Sequence, residues 1–292
     1  MQFIRLLIPL VFVLLLWISP AMAQQKVSVS SEVIQDKSLQ RSEQGRFLKW
    51  LEKGYIPVYR FGETRIPILI GSTTYPIDLS EILQRVLHDL QLEIFMLPIP
   101  EFRIVSQPEE GAIWFGIYED SNYLKQYKQT NTALDPRVLS RSYGGITFVI
   151  DGKGHALDFD PEYVDKDFEH VECLIAHPQY YADFNRSIHI AGRDRQELQF
   201  ESPIDKVTLT LQAMAKHEFY HALGTKHVRD CTPRGQGRRN CTIMASSALM
   251  VFIYPGLAEF EQLTKVWEAT QKESMEQLSQ ARTEKVSRGI PH

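Results

Sequence analysis

The chain has 292 residues, 43% hydrophobic and 23% charged, with 16 glycines, 15 prolines and 3 cysteines. That composition excludes disorder, a collagen-like repeat and a disulfide-dense mini-protein, and the length suffices for one large domain or two small ones. Net charge is −4, from 32 Lys and Arg against 36 Asp and Glu, so no overall basic field marks a nucleic-acid binder.

Residues 1–23 read as a secretory signal peptide. Arg5 supplies a positive start, Leu6 to Ser19 an apolar stretch containing Pro9, and Ala21-Met22-Ala23 a small-x-small cleavage signal before Gln24. An uncleaved anchor is the alternative, and the apolar run falls short of the ~20 residues that a spanning helix needs. No later segment is apolar and long enough to span, so no stable membrane insertion is expected after cleavage. The mature chain is expected outside the cytoplasm, in a periplasm or the extracellular space.

Residues 24–65 read as an N-terminal extension, polar at first and then helical through Phe47, Leu48, Trp50 and Leu51 up to Gly54. Residues 66–292 are taken as the main domain. A short strand over 65–71 comes first, and Asp78-Leu79-Ser80 then opens a helix with Ile82, Leu83, Val86, Leu87 and Leu90 on one face. Strands are expected over 101–106, 112–117, 145–150 and 171–176. The order of strands, an early helix and late helices predicts one α+β domain.

Ser202-Pro203-Ile204-Asp205 is a helix start, with Ser at the N-cap and Pro in the first turn, and Gly224 supplies the stop. This helix carries the chemistry. His217 and His221 are four residues apart, so both imidazoles leave one face, placed for a single Zn²⁺. Glu218 lies beside the first of them, in reach of a water and outside the ligand set. The turn at Gly224 brings His227 back as a third ligand, and three protein nitrogens leave one coordination position for water. One zinc ion per chain so held lowers the pKa of its water towards ~7 and polarises a carbonyl. Glu218 is then general base and later acid in amide hydrolysis.

The eleven residues from His217 to His227 match the metzincin signature His-Glu-x-x-His-x-x-Gly-x-x-His, and the chain resembles that family of zinc peptidases over about residues 203–270. The resemblance implies a Met-turn at Met244, in Cys241-Thr-Ile-Met-Ala-Ser246, whose thioether floors the three histidines without ligating. It also implies a mixed twisted sheet, an active-site helix and a C-terminal helix through Leu257, Phe260, Leu263, Val266 and Trp267. The chain departs from the best-known subfamilies at Val228 after the third histidine. Ser246 stands where some members carry a tyrosine ligand. The expected function is thus a secreted zinc endopeptidase acting on a protein or peptide, with Gly145–Ile150 as a candidate edge strand for substrate. The alternative is a catalytically inactive zinc-containing binding protein of the cell envelope.

In an oxidising compartment Cys231 and Cys241 are expected to bridge, worth about 3 kcal/mol for so short a loop. Cys173 reads as a buried strand thiol; a thiolate fourth ligand is the alternative that would make the zinc structural. Arg234, Arg238 and Arg239 make the 231–241 loop basic. The acidic run from Asp158 to Glu172 approaches EF-hand spacing, but Pro161 and Tyr163 break it, so calcium is not expected. His155, His170, His177 and His189 read as ordinary histidines and Tyr220 as packing.

Overall fold

The computed structural model describes residues 45–127, 144–157, 168–183, 187–189, 198–227, 242–244 and 250–287. The chain divides into Met1–Asp36 and Lys37–His292, and every described residue belongs to the second unit. The signal peptide, the Cys231–Cys241 loop with its arginines, and Asp158–Asp167 of the acidic run lie outside the described residues.

Helix α1 (Gly45–Lys53) buries Phe47, Leu48 and Trp50 on one face. Its Trp50 ring stacks on Trp267 with centroids 6.3 Å apart, and Trp50 Nε1 donates to the Gly111 carbonyl at 2.6 Å. Strand β1 (Tyr55–Arg60) follows at once. Both fall within residues 24–65, read from the sequence as an N-terminal extension, and β1 is an interior strand of the main sheet. Pro57 has no N–H to give to a sheet ladder.

Strands β2 (Arg65–Ile70) and β3 (Thr73–Asp78) form a separate antiparallel hairpin. Helix α2 (Leu79–Ile94) then starts as expected. The Asp78 carboxylate accepts from the backbone N–H of Ser80 at 2.9 Å and Glu81 at 3.2 Å, satisfying two of the donors that every helix start leaves open. Its buried stripe includes Ile82, Leu83, Val86, Leu87 and Leu90.

The remaining elements are β4 (Glu101–Val105), β5 (Ile113–Ile117), α3 (Asn122–Tyr127), β6 (Gly145–Asp151), β7 (Ala156–Leu157) and β8 (Phe168–Ile175). After them come α4 (Pro178–Asp183), β9 (Ser187–His189), α5 (Pro203–Ala222), β10 (Met250–Phe252) and α6 (Leu257–Ser287). The main sheet runs β4-β1-β5-β8-β6-β7. Its first four strands are parallel and β6 runs antiparallel to β8, so the sheet is mixed and the class α+β, as expected. Alternation sends Ile113, Phe115 and Ile117 of β5 into the core, and Phe115 meets Phe219 of α5 at 6.0 Å between centroids.

Helix α5 packs against α2, α4, β6 and β8, which buries every residue from Ala215 to Ala222. Ser202 makes no side-chain cap bond, so the Pro203 ring, with its preset φ and absent N–H, does the work at that end. No helix among the described residues is long and apolar enough to cross a membrane.

Candidate metal centre

The end of α5 is built to stop and turn back. Gly224 has φ +103°, a conformation that a side chain resists. Its N–H donates to the His221 carbonyl at 2.9 Å, and Thr225 N–H to the Tyr220 carbonyl at 3.0 Å, a Schellman closure. A Cβ at Gly224 would also stand 3.1 Å from Phe47 Cζ, so α1 backs this turn.

The turn brings the three expected histidines together. His227 Nε2 lies 3.1 Å from His217 Nε2 and 3.2 Å from His221 Nε2. His217 Nδ1 is 2.6 Å from the Ile243 carbonyl and His221 Nδ1 is 2.9 Å from the Thr225 carbonyl. A carbonyl only accepts, so both Nδ1 atoms carry the proton and both Nε2 atoms present a lone pair. One proton on His227 Nε2 satisfies only one of them. A cation satisfies all three.

The spacing fits a metal as well. Ligand nitrogens at ~2.0–2.1 Å in a tetrahedral site stand roughly 3.3 Å apart. Among the described residues these three imidazoles are the group able to hold an ion, and Glu218 is not part of it. Burial lowers the His217 pKa to about 4 against the pull of the Ile243 carbonyl, and burial likewise lowers His221 well below its ordinary value. His227 is lowered by burial too. The shifts favour the neutral imidazole, the state that binds metal, most strongly at the buried His217 and His221 and less at the exposed His227.

The segment carrying Ile243 is fixed from behind. Ile243 N–H donates to the Tyr254 carbonyl at 2.8 Å, the Thr242 hydroxyl donates to Glu259, and Glu259 accepts from Gly256 N–H at 2.9 Å. Met244 is fully buried in the core cluster beside this segment. Such backing orients a ligand and fixes its tautomer.

Glu218 is 2% exposed. Burial raises its pKa to about 8, although the Thr147 hydroxyl, 2.7 Å from Oε2, opposes the rise. Tyr220 is more than packing, since its hydroxyl donates to Glu93 Oε2 at 2.8 Å while Lys216 Nζ holds Glu93 Oε1 at 2.7 Å. Sequence reading missed Thr147, Glu93 and Glu259. Lys216 and Tyr220, four apart within the signature helix, were the one available signal for Glu93.

Cys173 is buried as expected and stands apart from the three imidazoles, its thiol pushed well up by burial. His155 sits 3.6 Å from Asp151, His170 stacks on Trp114 at 4.0 Å, and His177 Nδ1 accepts from Gln179 N–H at 3.2 Å. None joins the cluster. Glu172 of the acidic run is buried and accepts from the Ser121 hydroxyl at 2.6 Å.

No protein-family model matches the chain and no curated protein matches it. Among solved structures the chain is similar to one described as the GM1 bound form of the ECX AB5 holotoxin, at 14% identity. That likeness covers 73% of this chain and 80% of the other with a TM-score of 0.40, and carries no argument at that level.

Proposed function

We propose that the chain is an exported, zinc-dependent endopeptidase of metzincin type, with His217, His221 and His227 holding the metal and Glu218 moving the proton. One observation carries the reading: three imidazole nitrogens converge within 4.8 Å, with the adjacent carboxyl left outside the group. A ligand set that took the carboxylate would fill the position that chemistry needs free. Three imidazoles favour zinc, though they also suit copper, iron and nickel. Bound zinc supplies Lewis acidity to a peptide carbonyl and to water.

The chain's own residues do the rest. The Ile243 and Thr225 carbonyls hold His217 and His221 with Nε2 unprotonated. The ionised Glu218 carboxylate takes a proton from the attacking water and returns it to the departing amine nitrogen, and burial, which raises its pKa to about 8, favours the protonated form that does the returning. Strand β7 pairs only with Val149 and Ile150, so Gly145–Phe148 of β6 offer an open edge among the described residues. An extended peptide adds there by main-chain hydrogen bonds. The mixed sheet, the helix bearing the signature and the C-terminal helix α6 support the metzincin reading of the fold.

The test is zinc content of the purified mature protein with chelator-sensitive cleavage of a mixed peptide library, in wild type and Glu218→Ala. One zinc per chain with cleavage lost in Glu218→Ala is expected. One zinc with no cleavage by wild type supports a zinc-containing binding protein of the envelope instead.

A further inference from the structure

We propose that Thr147, on the edge strand β6, is the positioning residue for the Glu218 carboxyl, paired with Cys173 of β8 in a two-donor cradle. This rests on the reading of Glu218 as proton carrier. Thr147 and Cys173 are opposite one another in the antiparallel register, so both side chains leave the same face of the sheet, towards α5. Thr147 Oγ1 is 2.7 Å from Glu218 Oε2 and 3.0 Å from the Glu218 carbonyl oxygen. A hydroxyl has one proton and serves one of these acceptors at a time. Cys173 Sγ lies 3.6 Å from the same carbonyl, so the thiol proton is given to the main chain and the hydroxyl proton is left for the carboxylate. The two side chains also touch, with Oγ1 3.9 Å from Sγ.

The opposite side of the carboxyl is closed by an absence. A Cβ at Gly145 would stand 2.4 Å from Glu218 Oε1, so the side chain fits there only over bare main chain. Thr147 is 6% exposed and Cys173 fully buried, which leaves no solvent to replace the hydroxyl. A glutamate has three side-chain torsions to fix. Here one hydroxyl and one missing methyl group fix where its oxygens rest. Strand β6 therefore sets the place of the proton carrier as well as the edge that receives the peptide.

The experiment compares Thr147→Val, which keeps the shape, with Thr147→Ser, which keeps the hydroxyl, in the zinc-loaded full-length mature protein on the peptide library. Losing a hydrogen bond to a charged group lowers kcat about 10- to 100-fold, with KM and zinc affinity unchanged, and Thr147→Ser restores most of it. A Thr147→Val kcat equal to wild type, or a Thr147→Ser variant as slow as Thr147→Val, overturns the proposal. A second arm needs no turnover: melting temperatures of metal-free wild type, Thr147→Val, Glu218→Leu, which removes the acceptor, and the double variant. The double variant is expected to lose less than the sum of the single losses. Additive losses overturn the pairing. If wild type binds zinc and cleaves nothing, the peptidase reading fails while the second arm still decides whether Thr147 holds Glu218.

Discussion

His217 and His221 flank Glu218 on one helix, yet the three are held by different kinds of partner. The imidazoles donate to main-chain carbonyls of Ile243 and Thr225, whereas the carboxyl leans on the Thr147 side chain and the bare backbone of Gly145. A main-chain acceptor is not removed by substituting its own residue. It moves only when whatever shapes the chain there changes. The arrangement of the imidazoles is therefore vulnerable at Gly224 and Glu259, and the place of the carboxyl at Thr147 and Gly145.

The largest break is His221→Ala, which removes a donor outright. Calorimetric titration is expected to show loss of stoichiometric zinc; full retention would mean that the three nitrogens are not a metal site. Trp50→Ala comes next. It empties a fully buried position against Trp267 and is expected to cost about 3–5 kcal/mol in urea unfolding. A cost under about 1 kcal/mol would return α1 to the status of an appendage.

Gly224→Ala sharpens the comparison, because it touches no ligand. The φ of +103° and the nearness of Phe47 put the expected loss at roughly 1–3 kcal/mol. Displacing the Thr225 carbonyl is expected to weaken zinc about 10- to 100-fold. Unaltered affinity would show that the carbonyl does not hold His221. Asp78→Ala, distant in sequence, is the smallest at about 1 kcal/mol for a lost N-cap. Slight burial pushes the Asp78 pKa up, but the N–H groups of Glu81 and Ser80, with Arg65, bring it below its ordinary value. Its contribution is thus present above the unfolded-state pKa and fades as pH falls through the folded one. A difference between Asp78→Ala and wild type that persists undiminished in acid, or any change in zinc affinity, would contradict that assignment.

The parts legible in the sequence were those with a local period or spacing. The stripe of α2, the strands 65–70 and 145–151, and the reach from His217 to His227 all follow from geometry over a few residues. The place of β1 was not legible, because a parallel strand pairs with partners more than 40 residues away and Pro57 has no N–H to give to a ladder. Nor were the Ile243 and Thr225 carbonyls, since main-chain oxygens carry no residue identity. Thr147 lay within an expected strand, but its role depends on register against β8 and on which face meets α5.

The most direct measurement is X-ray absorption at the zinc edge on the zinc-loaded mature protein. Three imidazole nitrogens and one light oxygen at about 2.0–2.1 Å are expected. A sulfur neighbour near ~2.3 Å, or failure to take up one zinc per chain, would contradict the catalytic metal centre.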